Sequence, residues 1–325
     1  MILTDLYLPA GAELPRGELP GLQSLARFAE RRALPDGWRP WLAQRAGRPD
    51  LAALPVARIA AAVLAWPAAA AWIASPLHLS AGLSRVHLDP RGLLRLPARA
   101  QGLLSERFGR DFGTSDFRLS PLASGEFLLE APGVEVVATL EPARVAGAEL
   151  AAALPQGSAA AGLRRTAAEI EMWLHAQAAS LAPEAGVNAL WLWGANGAAG
   201  EVARHAAAVE LAAFGADAYL DGLWHLCGAR ARALPPALAP VLGERAEAAV
   251  LALRVADVLQ ESWQLAFLEA VRMLDERYLQ PALAALRARE LGRLTLIGND
   301  RVLSATRRSL WRLWRARPAG LAGLA

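Results

Sequence analysis

Val187-Asn-Ala-Leu-Trp-Leu-Trp-Gly194 is the stretch on which the reading of this chain turns. Val187, Ala189, Trp191 and Trp193 alternate with Asn188, Leu190 and Leu192, the period of two that a strand requires. Both faces are largely apolar, so the strand is expected at the centre of a sheet covered on both sides. Gly194-Ala-Asn-Gly197-Ala-Ala-Gly200 closes the run. A glycine-rich turn between strand and helix can offer free amides to an anion. The spacing matches neither Gly-x-Gly-x-x-Gly nor a P-loop with its lysine, and Glu201 sets a negative charge where the anion would sit. A bare strand-to-helix turn is the better reading. Were a ligand held here, Asn188, Trp191, Trp193, Gly194 and Asn196 are the residues placed to meet it.

Upstream, residues 163–179 read as an amphipathic helix with Ile170, Trp173 and Leu174 inward. Downstream, helical spans are expected over 201–214, 216–225, 244–278 and 281–291, followed by a short buried strand, Leu294-Thr-Leu-Ile297. Near the N-terminus, 19–32 carries Leu22, Leu25 and Phe28 at helical spacing, and the alanine-rich 56–75 reads as a helix broken near Pro67. The segment between is different in character. Val86-His-Leu88 and Leu93-Leu-Arg-Leu96 flank Asp89-Pro-Arg-Gly92, a hairpin signal. A helix over 97–112 should set Leu103, Leu104 and Phe108 on one side, and 117–119, 126–130 and 134–140 are strand candidates. The expected architecture is α/β: a core from 1–76 and 156–325, with 77–155 as an inserted α+β module.

The 325 residues are 54% hydrophobic and 20% charged, which excludes a disordered chain. There is no lysine, and 34 arginines face 31 acidic residues, a net charge of +3 that gives no global argument for nucleic acid. The single cysteine, Cys227, can form neither an internal disulfide nor a cysteine zinc site, which points to a reducing compartment. Met1-Ile-Leu-Thr-Asp5 has no basic region typical of a signal peptide. The apolar stretch 59–74 is shorter than the roughly 20 residues that cross a bilayer and is broken by Pro67. A cytoplasmic protein without membrane association is expected.

Candidate chemistry is sparse. The histidines, His78, His87, His175, His205 and His225, form neither His-x-His nor His-x-x-x-His. Asp217, Asp221 and His225 fall four apart on one face of a predicted helix, and Asp300 is a further weak candidate ligand. At 1.5 Å rise per residue the outer two lie about 12 Å apart, so one ion cannot take all three, and a solvated face competes with the metal reading. There is no Gly-x-Ser-x-Gly, and Cys227 sits in apolar surroundings as inert packing. No catalytic residue and no cofactor are assigned. The tail, Arg307-Arg-Ser-Leu-Trp-Arg-Leu-Trp-Arg-Ala-Arg317, could grip phosphates or dock as a helix through Trp311 and Trp314. No second basic cluster accompanies it in the sequence, which favours docking.

Glu169-Ile-Glu-Met-Trp-Leu-His175, followed by Val187-Asn-Ala-Leu-Trp-Leu-Trp-Gly194, resembles a signature of the archaeal-type cofactor-independent phosphoglycerate mutases. There, a helix ending in His-Pro-x-Asn precedes an Asn-x-x-Trp-x-Trp-Gly strand. Thr139-Leu-Glu-Pro-Ala-Arg-Val-Ala-Gly147, Leu154-Pro-Gln-Gly157, Leu274-Asp-Glu-Arg-Tyr-Leu-Gln-Pro-Ala-Leu283 and Pro20-Gly-Leu-Gln-Ser-Leu-Ala26 are similar to other mutase segments. Nearly the whole chain, the Trp311-Arg-Leu-Trp-Arg315 tail included, is similar to a proteobacterial family related to those mutases.

The resemblance implies an alkaline-phosphatase-like mixed layer, helix-rich, with an inserted module. It also brings the mutases' two metal ions and Ser or Thr nucleophile into question. The early Asp-Gly motif is missing, Gly298-Asn-Asp300 stands where the mutases carry Asp-His, and Ala176-Gln-Ala-Ala-Ser180 replaces the continuation of His-Pro-x-Asn. No Ser-Asp nucleophile loop occurs within 55–75. Fold without chemistry is the implied outcome: a non-catalytic regulatory or binding protein, its partner a protein or a small phosphorylated metabolite. The alternatives are a metal-dependent mutase or phosphatase drawing on Asp217, Asp221, His225 and Asp300, and a nucleic-acid binder acting through the tail.

Overall fold

A computed structural model of the chain describes residues 2–4, 19–64, 70–82, 86–147, 149–177, 186–197, 202–205, 211–244, 248–261, 265–298 and 301–312. Its strands are β1 (Ile2–Thr4), β2 (Glu30–Ala33), β3 (Ala71–Leu77), β4 (Ser80–Ala81), β5 (Val86–His87) and β6 (Arg118–Pro121). They continue with β7 (Phe127–Glu130), β8 (Ala189–Asn196), β9 (Leu211–Phe214), β10 (Ala248–Leu253), β11 (Arg293–Gly298) and β12 (Arg301–Thr306). Together with the helices they make a mixed α/β protein of two compact units. The first comprises Met1–Ala52, Ala208–Gly215 and Ala231–Ala325; the second comprises Ala53–Ala207 and Ala216–Arg230. Among the described residues no helix is long and apolar enough to cross a membrane.

The first unit holds a six-stranded sheet in the order β2-β12-β11-β1-β10-β9. β11, β1, β10 and β9 run parallel, and β12 and β2 add antiparallel at one end. Leu251, Leu294, Leu296 and Leu303 pack with Leu22, Leu25, Val271 and Leu286 of the helices Pro20–Phe28, Phe267–Leu274 and Gln280–Ala288. Two strands lie where helix was expected: β9 within 201–214 and β10 within 244–278. Ala248-Ala-Val-Leu-Ala-Leu253 has no polar face, and burial in a parallel sheet overrides alanine's helical preference.

Helix Pro20–Phe28 begins at Leu19, which offers no side-chain cap, and at Pro20, which has no N–H. The cap comes from elsewhere in the sequence. Buried Asp275, the first residue of a π-helical turn (Asp275–Leu279), accepts hydrogen bonds from Gly21 N at 3.0 Å and Leu22 N at 2.6 Å. Gln280 Nε2 donates to the same carboxylate at 2.9 Å. A Cβ on Gly21 would lie 2.6 Å from Asp275 Oδ1, so glycine is what lets the carboxylate approach. Removing the carboxylate strands two buried backbone donors. Asp275→Ala is therefore expected to cost about 2–4 kcal/mol, read from the midpoint of urea denaturation.

The second unit carries an antiparallel sheet in the order β6-β7-β3-β8 and a small β4-β5 pair. β6 and β7 come from the 77–155 segment, while β3 and β8 come from either side of it. Helices Ala98–Phe112 and Ala161–Gln177 contribute Leu104, Phe108, Ile170 and Leu174 to a core with Trp72, Leu129, Leu190 and Leu192. Leu103, expected inward, is exposed; Gln101 takes the inward position and donates to the carbonyls of Leu122 and Glu126. Trp173 donates to Asp111 Oδ2 at 2.6 Å and meets Phe108 edge-on.

Several expectations change here. Helix Val56–Ala61 runs on into a 3-10 turn, Ala62–Leu64, and the second half of the expected helix pair is β3, every residue of it buried; 65–69 lie outside the described residues. Among the described residues β8 pairs only with β3 and stands at the edge of the sheet, although most of it is buried. Its two apolar faces record covering layers, not strand neighbours. Asp89-Pro-Arg-Gly92 does not join a hairpin: Pro90–Gly92 is a 3-10 turn, β5 pairs with β4, and Leu93 bridges Leu77. Residues 134–140 form no strand.

Candidate functional site

β8 pairs with β3 in the register Ser75↔Trp191, Ala74↔Leu192 and Ile73↔Trp193. With Leu190 and Leu192 in the core of one face, Trp191 and Trp193 turn to the other. Trp193 Nε1 donates to Ser75 Oγ at 2.8 Å. Ser75 Oγ donates to Glu126 Oε1 at 2.6 Å, and Ser124 Oγ donates to Glu126 Oε2 at 3.0 Å. All are buried, Glu126 at only 2% exposure. The two hydroxyls give both oxygens of this enclosed side chain a hydrogen-bond partner, as burial of a polar group requires.

Two other predicted ligand residues, Asn188 and Trp191, are hydrogen-bonded to backbone. Asn188 exchanges two bonds with Leu79, accepting from its N–H at 2.7 Å and donating to its C=O at 2.8 Å. Trp191 Nε1 donates to Leu140 O at 2.8 Å. Gly194 takes φ +61° inside the strand, and a Cβ there would lie 2.9 Å from Val56 Cβ. Asn196 is buried opposite Ala71. Among the described residues of the helix expected after this strand, 202–205 are non-helical and 211–214 form β9; 198–201 and 206–210 lie outside the described residues.

Asp217 caps helix Ala218–Leu226, accepting from Tyr219 N and Leu220 N at 3.0 Å each. One turn on, Asp221 is largely buried, with Oδ2 enclosed and lacking a hydrogen-bond partner. Burial, then the Asp217 carboxylate, push its pKa up to about 7; Glu126 adds to the rise and Arg95 opposes it. Arg95 Nη2 donates to Ala216 O at 2.5 Å. His225, partly buried, is held below its ordinary value by desolvation and by Arg204 and Arg230. Asp300 lies outside the described residues. Among the described residues no three His, Cys, Asp or Glu side chains are grouped to hold a metal ion. Asp217 is engaged as a helix cap and Asp221 holds its proton more tightly than an ordinary carboxyl, so a cation bound there would have to displace both the cap and the proton.

Sequence reasoning singled out Trp193 and Asp221 but missed Ser75, Arg95, Ser124 and Glu126. The available signal was Glu126 itself, an acid opening the apolar run Phe127-Leu-Leu129. Cys227 is buried, as its context indicated. Of the tail, Ser309–Trp311 is a 3-10 turn with Trp311 67% exposed and Arg312 on Glu30 at 2.7 Å. The docking helix expected through Trp314 lies outside the described residues.

Taken together, these elements define a mixed α/β protein whose signature strand is bound into its own sheet. No family model and no curated protein matches the chain. Among solved structures it is similar to a cofactor-independent phosphoglycerate mutase from Thermoplasma acidophilum. That match has 15% identity over 94% of this chain and 89% of that one, with a TM-score of 0.35. It is also similar to the PH0037 protein from Pyrococcus horikoshii, at 11% identity over 94% of this chain and 87% of that one, with a TM-score of 0.42.

Proposed function

We propose that the chain is a non-catalytic binding protein with a regulatory role in the cytoplasm, built on a mutase-like scaffold. RpfE, a regulatory protein of pathogenicity-factor gene clusters, is the kind of relative it resembles. Its partner is a protein or a small phosphorylated metabolite. The observation that carries this reading is the use made of the signature strand. Asn188, Trp191 and Trp193 direct their polar atoms to Leu79, Leu140 and Ser75, where they pin the sheet. The sequence supports the same conclusion, with Gly298-Asn-Asp300 where the mutases carry Asp-His. Two-metal phosphoryl transfer needs cations to carry the charge of its transition state.

The test is a phosphoglycerate mutase and p-nitrophenyl phosphatase assay of the full chain in manganese and in zinc, with metal analysis of the same sample. We expect no turnover above the protein-free rate. Two bound ions per chain together with turnover would establish the enzyme reading instead.

A further inference from the structure

At the antiparallel end of the first unit's sheet, the pairings Val302↔Arg32, Ser304↔Glu30 and Thr295↔Ser304 bring polar side chains onto a single face. Arg32, Arg293, Thr295 and Ser304 lie opposite Leu294, Leu296 and Leu303, which belong to the core. Trp41 and Arg45, from helix Trp38–Arg45, complete a groove of about 520 Å³ with those strand residues. Thr295 Oγ1 and Ser304 Oγ lie 3.2 Å apart in its lining, and the Arg45 guanidinium lies 5.5 Å from the Trp41 ring centre. The carboxylate in the groove, Glu30, is held by Arg312 at 2.7 Å. Among the described residues no carboxylate pairs with Arg32, Arg45 or Arg293.

We propose that this groove binds a small phosphorylated anion. Three guanidinium groups without counter-charge repel one another, and an anion among them relieves the repulsion. A planar carboxylate is saturated by one arginine fork. A phosphate group carries about two negative charges and three acceptor oxygens, so several arginines and the hydroxyl pair can bind it together. The volume falls within the range of about 300–1,000 Å³ found for small-molecule sites. This gives the binding reading a place and a ligand class. Turnover does not enter its test, so either can fail without the other.

The experiment is calorimetric titration of the full chain at low salt with sodium pyrophosphate as probe, and with citrate and a mixed-sequence oligonucleotide as comparators. Pyrophosphate should bind saturably, one per chain, and more tightly than citrate. Arg32→Gln and Arg293→Gln should each weaken it at least about tenfold. Both side chains are exposed, so both variants are expected to fold, and their melting transitions without probe verify this. Independently of any variant, pyrophosphate should shield Arg32, Arg45 and Arg293 of the unaltered protein from phenylglyoxal, but not Arg110. Unchanged affinity in the variants, no saturable binding, citrate or oligonucleotide binding as tightly, or uniform shielding would each overturn the proposal.

Discussion

Gly222→Ala is expected to destabilise the protein by about 3 kcal/mol or more, the upper range for overpacking a core. A Cβ at this position would lie 2.2 Å from the backbone oxygen of Ile59, 2.6 Å from its carbonyl carbon and 2.9 Å from its Cγ2. Two of those atoms are backbone in the helix Val56–Ala61, so no rotamer change relieves the clash. Nor can that helix simply step aside. Val56 meets Gly194 of β8, where a Cβ would be 2.9 Å away, so the helix touches one glycine from the sheet and another from helix Ala218–Leu226. Urea denaturation measures the effect, with Gly102→Ala as the comparison. Gly102 is exposed in helix Ala98–Phe112, and its Cβ would meet nothing within 4 Å. That change should stabilise by about 0.5–1 kcal/mol through helix propensity alone. Equal stability of the two variants would show that the helices do not pack as described.

The contrast between these glycines also shows what the sequence could and could not reveal. β8, β11 and helix Ala161–Gln177 were legible because tryptophan, leucine and isoleucine recur at a clear period. β3, β9 and β10 were misread as helix, and all three are alanine-rich: Ala71-Trp-Ile-Ala74, Leu211-Ala-Ala-Phe214 and Ala248-Ala-Val-Leu-Ala-Leu253. Alanine favours helix locally, and a strand covered on both faces shows no alternation to contradict it. Only long-range pairing decides such segments.

The partners of the candidate site were illegible for the same reason of range. Ser75 and Glu126 are 51 positions apart, and Asp275 caps a helix that begins more than 250 positions earlier. The arginine cluster is the sharpest case. The tail looked like the only basic feature because Arg32, Arg45 and Arg293 are adjacent in the fold but scattered along the chain.

Asp221→Asn is expected to remove most of a pH-dependent loss of stability that wild type shows between about pH 4 and 7. The Asp221 pKa rises on folding from 3.8 to about 7, so across that window the folded chain keeps a proton that the unfolded chain has released. Stability from this group is therefore complete below pH 3.8, falls as pH rises through the window, and levels off above about 7. At about 1.4 kcal/mol per pKa unit, the full loss is on the order of 4 kcal/mol. Asparagine has no charge to bury, so the variant should gain on wild type with rising pH and hold that gain at pH 8.5. Asp275, whose pKa is also raised by burial, titrates in both proteins and cancels in the difference. Parallel stability profiles for the two proteins, from urea denaturation at pH 4.5, 6, 7.5 and 8.5, would sink this account. The same profile bears on function. A metal ligand must shed its proton, and a bound cation would hold the Asp221 carboxyl ionised and flatten the wild-type curve. Repeating the series in millimolar manganese separates the two readings: the slope stays unchanged if the proposed non-catalytic role holds, and flattens if a cation binds the Asp221 carboxylate.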